Sequence, residues 1–140
     1  MTSPIGVFTR DTRRAHGLRQ HEVAKRLGYE QAYISAIELG AKIPSQEFLE
    51  RLARSLELDE RQRAEMMQAA HDSRRRYVLP AEVPTEIYLL CSELWNKIDH
   101  LYPAQIVALR QVIKLDEEMK EAPRTPIARR SRNHNTEAKM

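Results

Sequence analysis

Three glycines, Gly17, Gly28 and Gly40, interrupt a run of apolar residues that recur every three or four positions. A glycine after such a run is a helix stop, because it accepts the left-handed backbone that closes a last turn. The spacing predicts three short helices: Pro4 to about His16, about Arg19 to Arg26, and about Gln31 to Leu39. Ser3 and Pro4 suit the cap and first position of the first. A fourth, about Gln46 to Leu56, has Ser45 as its cap. A fifth starts at Asp59 and Glu60, whose carboxylates suit the positive end of the helix dipole, and runs to about His71.

Beyond it, "SRRRYVLPAEVP" at residues 73–84 has two prolines and no helical period, so it reads as a linker or an extended arm. Ile87, Leu90, Cys91, Leu94, Ile98 and Leu101 then recur at helical steps, with Trp95 beside them. Pro103 opens a last helix carrying Ile106, Leu109, Val112, Ile113 and Met119. These two are expected to form a hairpin over residues 85–121. From Ala122 onward, prolines, arginines and polar residues cannot support a core, and residues 122–140 are expected to be a disordered basic tail. With no sustained alternation of period two, the fold class is all-α.

The 140 residues carry a net charge of +3, distributed unevenly: +3 over residues 1–42, −3 over 43–73, −1 over 74–121 and +4 over 122–140. Positive charge at both ends suits a polyanionic partner, although a solvated basic tail is common. The single cysteine, Cys91, excludes an internal disulfide and a thiolate zinc cluster. The histidines show no ligand spacing, so no metal and no cofactor are expected. No glycine-rich phosphate loop or nucleophile set occurs, so an enzyme is not expected. Neither a membrane span nor a signal peptide is legible, and the expectation is a cytoplasmic, nucleoid-associated protein.

The stretch "LRQHEVAKRLGYEQAYISAIELG", residues 18–40, carries most of the functional signal. Val23, Ala24 and Leu27 give one helix an apolar face, and Ile34 and Ile37 give the next its own. Gly28 permits the reversal between them. Two short helices sharing a small core across a tight turn are a helix-turn-helix, and Ala24 is small enough to let them cross closely. Gln20, Glu22, Ala24, Leu27, Gly28, Ile34, Ser35, Ile37, Glu38 and Gly40, continuing through Pro44, Leu49, Leu52, Ala53, Leu56 and Leu58, make the chain resemble the lambda-repressor/Cro-like (XRE-type) helix-turn-helix regulators over roughly residues 5–60.

The resemblance implies a five-helix DNA-binding domain, residues 1–72, with the third helix in the major groove. Gln31, Ala32, Ser35 and Ala36 would then read bases: glutamine bonds adenine, serine donates or accepts, and alanine packs on a thymine methyl. Gln20 resembles the family's phosphate-bonding glutamine, with Arg14, Arg19, Tyr33 and Lys42 expected to contact phosphate beside it. Glu30 would cap the third helix, and Glu38 would pair with Arg13 to brace the first helix on the third. The first helix has Thr9 and Thr12 where the family usually has leucine, so Val7 or Phe8 is expected to take over the packing. The bland alternatives are an exposed amphipathic helix and ordinary solvated charges.

The resemblance leaves residues 85–121 unexplained. Two amphipathic helices alone bury too little to be stable. Dimerisation through Leu90, Leu94, Trp95, Ile98, Ile106, Leu109 and Ile113 would bury them and place two reading heads one duplex turn apart, about 34 Å. An extension of the first core within one chain is the other solution. The expected function is a homodimeric repressor of a palindromic double-stranded DNA operator, its own promoter being one candidate. The alternative is an antitoxin-type module whose C-terminal half binds a partner protein.

Overall fold

The structure, a computed structural model, describes residues 2–120; the expected tail at 122–140 lies outside them. Among the described residues every regular element is helical. They are α1 (Pro4–Ala15), α2 (Gln20–Leu27), α3 (Gln31–Glu38), α4 (Gln46–Ser55), α5 (Glu60–Asp72), α6 (Thr85–Lys97), α7 (Pro103–Ile113) and α8 (Leu115–Met119). The chain divides into two units between Leu79 and Pro80.

Local chemistry sets the helix ends in the first unit. The Ser3 hydroxyl accepts from the Gly6 amide at 3.1 Å, with Pro4 at the first helical position. Ser45 accepts from Phe48 N at 3.1 Å. Asp59 and Gln62 cap one another reciprocally at 2.8 and 3.0 Å. Gly28 has φ 80°, and its amide and that of Tyr29 both bond the Ala24 carbonyl at 2.9 Å, the reversal between α2 and α3. Gly40 has φ 77°, and a Cβ there would lie 2.9 Å from the Thr2 carbonyl carbon. Any larger residue would push the N-terminal segment off the end of α3.

The core of this unit centres on Phe48 with Ile5, Val23, Ile34, Ile37 and Leu52, all fully buried. Helix α2 packs on α3 and α4, and α1 packs on α3 and α5. Ile5, not Val7 or Phe8, anchors α1; Phe8 is only partly buried against the core and Val7 is half-buried. Thr9 is fully buried where the family has leucine, because its hydroxyl donates to the Ile5 carbonyl at 2.8 Å and so leaves no unpaired polar group. Ser73 closes the unit: its hydroxyl accepts from Ile5 N at 2.9 Å and donates to the Ala69 carbonyl at 2.7 Å.

In the second unit Pro103 opens α7, and the Tyr102 amide donates to Gln105 Oε1 at 2.8 Å. The last helix does not run unbroken to Met119. At Lys114 the amide bonds Arg110 O at 3.3 Å and Gln111 O at 3.1 Å, a tightened last turn that separates α7 from the five-residue α8. No residue of α6, α7 or α8 is buried. No described helix is long and apolar enough to cross a membrane.

Candidate nucleic-acid interface

Helix α3 is held by one face. Ile34 and Ile37 are fully buried and Glu38 is 6% exposed, while Gln31 and Ala32 are exposed and Ser35 and Ala36 half-buried. Leu39, 62% exposed, continues the outer row beyond the helix end. Four uncharged side chains thus form an outer strip that projects no charge. Such a strip approaches a groove wall closely and offers hydrogen bonds and methyl contacts.

The brace beneath this strip is the Arg13–Glu38 pair. Arg13 Nε donates to Glu38 Oε2 at 2.8 Å and Nη2 to Oε1 at 2.9 Å, a bidentate geometry, while Nη1 donates to the Leu18 carbonyl at 2.8 Å. The hydrogen bond that Arg13 donates to Glu38 raises the Arg13 pKa above its ordinary value, opposed in part by burial. Gln20 joins the cluster, its Nε2 donating to Glu38 Oε1 at 3.2 Å. The side chain expected to meet phosphate is therefore tied to the brace, half-buried, at the first position of α2. From the other side, the Thr2 hydroxyl donates to the Glu38 carbonyl at 2.7 Å.

Glu30 does not cap α3 with its side chain. It occupies the N-cap position with extended backbone (φ −83°, ψ 151°), but its carboxylate bonds no first-turn amide. Capping favours the shorter side chains of Ser, Thr, Asp and Asn, whose oxygen sits within reach of those amides.

Among the remaining residues, Tyr33 is half-buried: its hydroxyl accepts from Ser45 N at 3.2 Å, and its ring stacks on Tyr29 with centroids 4.8 Å apart. The hydroxyl proton remains available to an anion. Lys42 Nζ sits 5.2 Å from the Tyr33 ring centre. Gly28, Tyr29, Glu30, Tyr33 and Lys42, with Ala32 and Ala36 of the outer strip, line one shallow groove. Arg14 and Arg19 are exposed at the turn between α1 and α2, while Lys42 follows α3; no bond connects the two sets.

Sequence reasoning missed Tyr29 and Arg51. The Tyr29 ring is flanked by the Arg51 guanidinium at 5.4 Å, and Arg51 Nη1 donates to the Leu27 carbonyl at 2.9 Å, fixing the turn from α4. The four-residue spacing of Tyr29 and Tyr33 was the available signal. Among the described residues, no group of three or more His, Cys, Asp or Glu side chains is placed to hold a metal.

Residues 5–66, from α1 into α5, match the family model of a helix-turn-helix domain. The matched stretch is the one that resembles the lambda-repressor/Cro-like regulators, and in it α2 and α3 pack across the turn at Gly28. The chain is also 40% identical over 55 residues to the "ImmF control region 10 kDa protein" of Bacillus phage phi105, an alignment covering 39% of this chain and 61% of that protein. No solved structure matches the chain.

Proposed function

We propose that the protein is a sequence-specific double-stranded DNA-binding regulator that represses transcription as a homodimer on a palindromic operator, its own promoter among the candidates, in the cytoplasm and on the nucleoid. The observation that carries this reading is the outer strip of α3, four uncharged short side chains presented by a helix whose opposite face is fully buried. In this reading Gln31, Ala32, Ser35 and Ala36 discriminate bases, and Arg14, Arg19, Gln20, Tyr33 and Lys42 bind phosphate. The division is physical: phosphate contacts set affinity and register, base-edge contacts set sequence. A control-region relative supports a role at a promoter.

The homodimer rests on the second unit. Leu90, Leu94, Trp95, Ile98, Ile106, Leu109 and Ile113 are all more than a third exposed, and helices this short are unstable without a surface to bury their apolar side. A second copy meets that need and gives the twofold symmetry that a palindrome mirrors. The same exposure favours a second reading, in which a different protein covers α6 and α7, as in an antitoxin. Purification alone separates the two: a tight dimer supports the first, a second unit that orders only with a partner supports the second. The test of function is selection from random duplex DNA. Two inverted half-sites with centres about 34 Å apart are expected; a pool with no enriched sequence overturns the reading.

A further inference from the structure

The segment after α5 places three consecutive arginines against the end of the reading helix. Ser73 fixes where it starts, through its bonds to Ile5 N and the Ala69 carbonyl. Residues 74–79 then run without helix, and Arg74, Arg75, Arg76 and Tyr77 are all exposed. Arg75 Nη2 donates to the Gly40 carbonyl, so the segment lies along the end of α3, two residues from Lys42. Arg74 is ordered too: its Nη1 donates to the His71 carbonyl at 2.9 Å and its guanidinium stacks on Tyr77, 4.1 Å from the ring centre.

Among the described residues, three consecutive cations without an acidic partner mark this segment; Arg14, Arg19 and Lys42 are also without one. Arg10, Arg13, Arg51 and Arg61 each face a carboxylate, whereas among the described residues Arg74, Arg75 and Arg76 form no ion pair. Asp72, the nearest acid in sequence, accepts from Gln68 at 2.9 Å. The result is a cationic edge without an acidic partner, with Arg75 pinned to the end of α3, Arg74 held locally against His71 and Tyr77, and Arg76 making no hydrogen bond within the described residues. Each guanidinium carries five N–H donors, so Arg74 keeps most of its donors after bonding His71.

From this arrangement we infer that residues 74–77 form a second DNA-contacting element, an extended arm whose Arg74 and Arg76 bind backbone phosphates flanking the site read by α3. The inference rests on the proposed reading of α3. An eight-residue helix is about 12 Å long, close to the roughly 12 Å width of the major groove, so a helix with its first turn on the bases brings its far end to the groove wall. Arg75 holds the arm at that far end. A guanidinium matches phosphate geometry in two-pronged fashion, and such contacts add affinity without sequence preference.

The experiment measures binding of the full chain to a short random-sequence duplex as a function of salt, for the native protein and for R74Q/R76Q. Both positions are exposed, and an unchanged melting temperature checks that the variant folds. Each phosphate contact contributes about 0.9 to the slope of log K against log salt. The double variant is expected to have a slope shallower by roughly 2, with equal proportional losses on random and selected DNA. An unchanged slope in a variant whose native parent binds duplex overturns the arm alone. A native protein that does not bind duplex at any salt overturns the reading of α3 as well.

Discussion

The two units handle the same kinds of side chain in opposite ways. In the first, Ile5, Ile34, Ile37, Phe48 and Leu52 have no exposed surface; in the second, Leu90, Trp95, Val107 and Ile113 are each more than half exposed. Both contain short amphipathic helices of similar length. The first unit closes on itself because its helices meet at turns where Gly28 and Gly40 permit sharp reversals, so each apolar face finds another. In the second, no residue of α6 or α7 is buried. The first buries its apolar faces within itself, and the second leaves its apolar side chains largely exposed.

The largest expected effect probes that contrast from the closed side. Phe48→Ala should cost about 3–5 kcal/mol of stability, since Phe48 is fully buried beside Tyr29 and Tyr33. Denaturant melts report it, and a loss below about 1 kcal/mol would mean the first unit is not the close-packed body described.

Next comes the brace. Glu38→Ala strands the Arg13 guanidinium, whose side chain is 10% exposed, at a cost of about 3 kcal/mol. Because the pair raises the Arg13 pKa, its contribution is complete below the unfolded value and is lost only as pH climbs through the folded one. The difference in melting temperature between native chain and variant should stay constant from neutral to mildly alkaline pH. A difference that shrinks over that range would assign the stabilisation to another group.

Leu94→Asp tests the open side. If a second copy covers α6 and α7, the substitution weakens self-association by about 2 kcal/mol, roughly thirtyfold, and leaves the melting of the first unit alone. Trp95, the single tryptophan, reports it. Its emission should shift to longer wavelength when the native protein is diluted and be shifted at every concentration in the variant. Emission independent of concentration would remove the homodimer. The smallest effect belongs to Asp59→Ala, which loses the cap of α5 for about 1 kcal/mol; an effect of similar size in a fragment of residues 1–79 would show that the first unit is self-sufficient.

Features set within a few residues were legible in the sequence. Ser3, Pro4, Ser45, Gly28 and Gly40 announce helix ends because capping and left-handed turns are local events. The inward set Ile34, Ile37 and Glu38 followed from helical period and resemblance. What escaped depends on distant partners or on a hydroxyl's choice of acceptor. Thr9 reads as polar until its bond to Ile5 is seen, and the bond from Gln20 to Glu38 spans eighteen positions that local pattern does not connect. Ser73 and Arg75 looked like linker, yet they tie the end of α5 to α1 and the end of α3, residues some seventy and thirty-five positions away. Residues 85–121 read as a hairpin of two amphipathic helices, and α6 and α7 fall within that stretch. Their period says which side is apolar and nothing of what covers it.

The central claim is that the outer strip of α3 reads bases, and parallel selections from random duplex DNA with the native chain and Gln31→Ala test it most directly. The account predicts the same paired half-sites from both proteins, with preference relaxed at only one or two base pairs per half-site, by about 1–3 kcal/mol. Identical preferences at every position would contradict it, as would a uniform loss of binding with no change in the motif, because either result would leave Gln31 without a role in reading sequence.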